Sequence, residues 1–254
     1  MTKSRARNRP HPVKSRGAQT SSRDTIWLWG QHAVAAALAN PNRQSIKMLA
    51  TRNAADRIGK VNVPMELVGG EQIDRALPPG AVHQGLALET KPLEALSIED
   101  VLERGVRRIA VLDQVSDPHN LGAIFRSAAA FGFEAIVLQT RNAPPITGIA
   151  AKTAAGAVET VAECRVVNVS RALGLLADGG FHTVGLAGGS RRTVEEAVDG
   201  AELLALVLGA EGAGLRPGVA KACAECAHIP IADAMESLNV SNAAAIAFYL
   251  ARTT

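Results

Sequence analysis

Aromatic side chains are scarce. Five Phe, two Trp and one Tyr make up 3% of 254 residues, too few for a surface built on stacking bases against rings. Cysteine is scarcer, with three residues. Cys223-Ala224-Glu225-Cys226 and His228 have the spacing of half a zinc site, with Cys164 as a distant fourth ligand. The second Cys-x-x-Cys that would complete it is missing, so no metal is expected. The thiols read as free groups, buried or half-buried, in a reducing compartment. No apolar stretch approaches the ~18 residues of a membrane helix. The chain is therefore expected in the cytoplasm, without a membrane partner. The phosphate loop Gly-x4-Gly-Lys-Ser/Thr is absent. A Gly-x-Gly-x-x-Gly match starting at Gly212 fails because Pro217 stands in the third glycine's place. No internal repeat is visible.

What is present is a chain with 47% hydrophobic residues, enough for one large or two modest cored domains. Its charge is uneven. Residues 1–23 carry seven Lys/Arg and no acid, which leaves −4 on residues 24–254 against +3 for the whole. With Pro10, Pro12, several Ser/Thr and few apolar side chains, residues 1–25 are expected to form a basic, disordered tail. Such a tail fits a polyanion held by counterion release, although a solvated tail without a partner has the same composition. An Arg-rich transit peptide would also lack acids, but the prolines and the missing apolar face argue against it.

Periodicity divides the rest. Over 26–90 it predicts a helix near 31–39, strands near 46–50, 65–68 and 85–89, and a short helix near 71–76. Pro92 and Ser97-Ile98-Glu99-Asp100 mark a linker, 91–104, with helical signals from 98. Over 105–254, strands at 108–113, 135–138, 183–187, 203–208 and 228–231 alternate with helical patterns. That is the α/β pattern of a parallel sheet.

Three polar clusters stand out against this apolar background. In the first, the buried-strand run Ile109–Leu112 leads to Asp117-Pro118, a helix-start signal, and a helix follows over Ala123–Phe131. Asn120 falls in the loop or first turn. Arg126 shares a face with Gly122, four residues back, and a glycine there would clear space beside the guanidinium. In the second, the strand run Leu203–Leu208 enters the glycine-rich turn Gly209-Ala210-Glu211-Gly212-Ala213-Gly214. Glycines let backbone approach a ligand, and Glu211 suits a cationic or hydroxyl-bearing one. In the third, Ser237, Asn239 and Ser241 crowd the start of an apolar helix, where each can accept from an orphan N–H.

These clusters, in this order, resemble the SpoU-type family of RNA 2′-O-ribose methyltransferases, within the SPOUT superfamily. Asn120, Gly122 and Arg126 match its first motif, Gly209–Gly214 with Glu211 its second, and Ile229-Pro230-Ile231 with Ser237–Ser241 its third. Lys152–Glu159 also looks like a family segment. Asn242 departs from the pattern, where a small apolar residue is more usual. Trp29-Gly30-Gln31-His32 and His83-Gln84-Gly85 are similar to the small N-terminal substrate-binding domain of members that modify a guanosine in 23S rRNA. The resemblance implies an α/β chain with an N-terminal RNA-binding domain over 26–90 and a trefoil-knotted methyltransferase domain over 105–254.

It also implies S-adenosylmethionine (AdoMet) as cofactor, bound mainly through backbone. Ala187 and Gly188 would form one wall, Leu208, Gly209, Glu211 and Gly212 a second, and Ile229, Ile231, Ala232, Ser237 and Leu238 a third. Arg126 would sit at the 2′-hydroxyl, as a base of depressed pKa, as a stabiliser of developing negative charge, or as a phosphate contact. Asn120 and Glu211 would orient it and the ribose, and Ser237 and Asn239 would shape the pocket. Transfer to tRNA or another rRNA position, or RNA binding alone on the same fold, are the alternatives. A homodimer is implied as well, through a helix over 243–251 that presents Ala243, Ala244, Ala247, Phe248 and Ala251. That face could equally pack inside its own protomer.

Overall fold

Two β-sheets organise residues 25–141 and 146–252, which the structure, a computed structural model, describes. The tail read from the sequence lies outside them except for Thr25. The first sheet comprises β1 (Ile26–Trp29), β2 (Ser45–Ala50), β3 (Met65–Leu67) and β4 (Leu86–Thr90), in the order β1-β4-β2-β3. Helices α1 (Gln31–Ala39), α2 (Arg52–Ile58) and α3 (Gly70–Ala76) connect its strands. A linker leads to α4 (Ile98–Glu103), which starts on a reciprocal cap. Ser97 Oγ accepts from the Asp100 N–H (3.1 Å), and the Asp100 carboxylate accepts from the Ser97 N–H (2.9 Å).

The second sheet holds β5 (Arg108–Leu112), β6 (Ala135–Gln139), β7 (Ala162–Val166), β8 (His182–Leu186), β9 (Arg192–Thr193), β10 (Leu204–Leu208) and β11 (Glu225–His228). Its order is β7-β6-β5-β10-β8-β11-β9, and every pair is parallel. The connecting helices are α5 (Pro118–Ala130), α6 (Gly148–Thr153), α7 (Val169–Asp178), α8 (Val194–Val198), α9 (Pro217–Ala222) and α10 (Val240–Leu250). The central strands read as unbroken apolar runs because both faces are covered. Ala110, Leu112, Leu204 and Leu206 pack toward α5, α6, α8 and α10. Ile109, Val111, Ala205 and Val207 pack toward α4, α7 and α9.

Three expectations change. The last strand spans 225–228 rather than 228–231. Ile229-Pro230-Ile231 is loop, and Pro230 has no N–H to give to a ladder. The helix face Ala244, Ala247, Phe248 and Ala251 is buried in its own protomer. Phe248 stacks on Phe133 with ring centroids 4.1 Å apart. Arg108 donates to Ala251 O (3.1 Å) and Glu202 O (2.7 Å), pinning the end of α10 to the sheet. The exposed stripe of α10 is instead Asn242, Ile246 and Tyr249. Finally, Gly122 does not make room for Arg126. A β-carbon on Gly122 would lie 2.5 Å from Ala150 O and 2.6 Å from Thr153 Cβ, so the missing side chain lets α6 press onto α5.

The first sheet is seated on that same α6. A β-carbon on Gly148 would lie 1.9 Å from the Trp29 ring and 2.3 Å from Trp27 O. Lys152 Nζ donates to Val82 O, and desolvation there pulls its ammonium below the ordinary lysine range. Nearby, Glu159 receives a bidentate Arg43 guanidinium (Nε 3.1 Å, NH2 2.6 Å) and the Asn40 amide (2.8 Å). Arg43 also donates to Lys91 O (3.0 Å). The two charged side chains are only 2% and 3% exposed.

Candidate active site at the carboxyl ends of the parallel strands

Because all seven strands run the same way, their carboxyl ends share one edge, where open α/β sheets take ligands. Three loops meet there, after the neighbouring strands β10, β8 and β11.

Asn239 sets the geometry. It is the N-cap of α10, and its Oδ1 accepts from the Ser241 N–H (2.9 Å), the Ser241 hydroxyl (2.6 Å) and the Asn242 N–H (3.4 Å). With the oxygen committed to the helix, the amide nitrogen must face away. It donates to Asn120 Oδ1 (3.1 Å) and to Glu211 Oε1. Asn120, in the first turn of α5, therefore presents its own nitrogen to Glu211 Oε1 (3.0 Å). One helix cap thus fixes the orientation of two amides and a carboxylate that stand 28 to 119 residues apart. Glu211 Oε1 takes two N–H donors, and its second oxygen accepts nothing among the described residues.

The other anticipated residues fall around this ring. Arg126 lies on α5, exposed, with no hydrogen bond or ion pair among the described residues. At ~100° per residue it points about 120° away from Asn120 around the helix. Ser237 is exposed in the loop before α10 and does not join the ring. Asn239 alone accepts from the helix N–H groups, and the Ser241 hydroxyl donates to it. Ala187 and Gly188 follow β8. Leu208 ends β10, with Gly209, Glu211 and Gly212 beyond it. Ile229, Ile231, Ala232 and Leu238 lie between β11 and α10. Gly209 serves the turn rather than a ligand, because a β-carbon there would lie 2.1 Å from Gly214 C. Gly188 and Gly212 face open space instead. Ile231 is 38% exposed and Leu238 half-buried.

One buried acid was not anticipated from the sequence. Asp113, at the end of β5, is wholly buried. Its carboxylate accepts from the Arg216 N–H (3.0 Å) and Nε (2.8 Å), and Nη2 stands in ion-pair contact at 2.5 Å. It ties down the far end of the loop that carries Glu211. The available signal was an acid closing a fully apolar strand run.

The fold is shared by solved chains described as RNA methyltransferases. Residues 107–249 match the SpoU rRNA Methylase family, and residues 27–96 match the RNA 2′-O ribose methyltransferase substrate binding family. The chain belongs to the SpoU rRNA methylase family. It is 34% identical over 252 residues to an uncharacterised tRNA/rRNA methyltransferase of Synechocystis, covering 94% of this chain and 65% of that protein. It is 34% identical to the 23S rRNA (guanosine-2′-O-)-methyltransferase RlmB of Vibrio vulnificus, covering 88% of this chain and 94% of that one. The chain spans less than two thirds of several relatives, 54% of one from Mycobacterium avium. The SpoU methyltransferase AviRb of Streptomyces viridochromogenes, solved in complex with AdoMet, shares the fold. Its TM-score is 0.77 at 18% identity, over 90% of this chain and 89% of that one.

Proposed function

We propose that the protein transfers a methyl group from AdoMet to the ribose 2′-hydroxyl of a guanosine in 23S rRNA, in the cytoplasm. The observation that carries this reading is the Asn120–Glu211–Asn239 ring. It leaves one carboxylate oxygen, held by neighbours but unanswered, at the ligand edge of the sheet. The guanosine and 23S assignment draws on the RlmB relatives and on the match of residues 27–96 to a substrate-binding family.

The residues present fit the cofactor. Gly188 and Gly212 have no atoms where a side chain would stand. On this reading Ile231 and Leu238 would give the cofactor apolar contact, and the main chain of Gly188, Gly212 and Ile229 polar contact. Bound there, AdoMet would supply an activated methyl group. The chain's part is to hold the ribose in line. The free oxygen of Glu211 accepts from a ribose hydroxyl, and Asn120 and Asn239 hold that carboxylate. Arg126, without a partner among the described residues, reaches for the phosphate or the developing oxyanion. Ser237 lines the mouth.

The domains follow the same reading, with residues 26–90 taking RNA, 91–104 linking and 105–254 catalysing. A trefoil knot through the C-terminal loops is part of it. Its support is that β10 lies between β5 and β8, while α10, made after β11, returns to pack on α5 and α8. A homodimer is also part of it, supported by the exposed Ile246 and Tyr249 (38% and 49%) beside Phe131, whose ring meets Tyr249 edge-on at 5.8 Å.

Mapping 2′-O-methyl groups on rRNA from cells with and without the gene tests the activity. One guanosine in 23S rRNA should lose its mark. An unchanged 23S map with a changed tRNA map would move the substrate. Calorimetric titration with AdoMet should give heat without RNA, and silence at millimolar ligand would remove the pocket.

A further inference from the structure

A cavity opens on the same edge of the sheet, at the ends of β6 and β7. It measures about 330 Å3 and is lined by Gln139, Val167, Asn168, Ser170, Arg216 and Val219. Gln139, the last residue of β6, is 8% exposed. Its Oε1 is buried and finds no hydrogen-bond partner among the described residues. A buried amide oxygen left unanswered is costly, and the side chain that carries it lines an open cavity.

The other polar groups are half-used. Asn168 Oδ1 caps α7 by accepting from the Arg171 N–H (3.1 Å), which leaves the amide N–H groups to donate. The Ser170 hydroxyl donates to Gly218 O (3.1 Å), which leaves its oxygen to accept. Val167, 82% exposed, and the buried Val219 form aliphatic walls. Arg216 belongs to both places. It lines this cavity while Asp113 holds it at the end of the Glu211 loop.

A phosphate offers acceptors only and would leave Gln139 Oε1 unanswered. An aliphatic ligand would strand every polar group. A nucleobase has donors and acceptors side by side on its edge and two apolar faces. Proteins read RNA by such edges once a base is splayed out of its stack. We propose that this cavity receives one unstacked nucleobase of the RNA substrate, near the nucleotide presented to the Glu211 loop. The proposal rests on the RNA-methyltransferase reading above.

The test uses the full chain and a 23S rRNA fragment, with affinity read by filter binding so that it does not depend on turnover. Gln139→Leu should weaken RNA binding by about five-fold, the scale of one lost hydrogen bond. AdoMet affinity and melting temperature should stay near wild type. Val167→Glu, on an exposed position, should weaken it similarly and guards against a core defect in the first variant. Abasic substitution along the RNA should find one position that weakens wild-type binding and leaves Gln139→Leu binding unchanged. Equal RNA affinity for both variants and wild type overturns the cavity. So does binding of free nucleoside monophosphates there with unaltered RNA affinity. A wild-type protein that binds RNA with this abasic signature yet methylates nothing would overturn the enzymatic reading alone.

Discussion

Asn239 has two jobs that substitution can separate. Asn239→Ala removes the α10 cap and should cost about 1 kcal/mol of stability, along with activity. Asn239→Asp keeps an oxygen for the cap but sets a carboxylate against Glu211. Its melting temperature should stay above that of the alanine variant while methyl transfer collapses. Equal activity in Asp and wild type would show that the ring is only structural. Arg126→Ala probes the other side. With no partner to lose among the described residues, it should unfold as wild type does. If Arg126 acts in the transition state, kcat falls far more than KM rises. A normal kcat with a raised RNA KM would make it a phosphate contact. The thiols give a pH test. Burial pushes Cys164 and Cys223 up to about 12 from an ordinary value near 9. Above pH 9 the unfolded chain therefore sheds these protons before the folded one. Folded stability should fall as pH rises from about 9 toward 12. Denaturant melts of Cys164→Ala/Cys223→Ala should show a shallower alkaline loss.

At the scale of elements, α6 is the piece on which the molecule turns. It is pinched between Gly122 on α5 and the Trp27–Trp29 strand, with Gly148 at the contact. Gly148→Ala should force β1 off α6 and destabilise the fold by about 1–3 kcal/mol, the usual scale of overpacking. Circular dichroism melts measure it, and an unshifted melt would mean that the contact yields cheaply. The sequence shows why α6 escaped notice. Gly148–Thr153 is one short turn with no apolar stripe of its own, and only the partners on either side give it a place. The strands β5, β6 and β10 were legible because burial on both faces writes an unbroken apolar run. Edge strands carry no such run: β7 reads Ala-Glu-Cys-Arg-Val and β9 has two residues. The candidate site was legible as three separate clusters, and its residues came from family resemblance. That Asn239 orients Asn120 and Glu211 was not, because it depends on which oxygen the helix claims.

At the scale of the whole molecule, the two sheets are one packed body. The Arg43–Glu159 pair, almost free of water, crosses between them. A buried pair loses most when one partner is removed, because the other is stranded. Glu159→Ala should cost about 3–5 kcal/mol, and Arg43→Ala/Glu159→Ala should cost less than the two single changes added together. Additive losses in chemical denaturation would mean that the charges do not couple. With the pair intact, the first sheet keeps a fixed bearing to the ring.

Asn239 opens α10, and Phe248 and Ala251 seat it on Phe133 and Arg108. The ring therefore draws its keystone from a helix that follows every strand of both sheets. Every earlier segment can collapse onto the sheet while the ribosome is still working, yet Asn120 and Glu211 stay unaligned until residues near 250 clear the exit tunnel. A partly made chain can thus hold its sheets before it holds the ring.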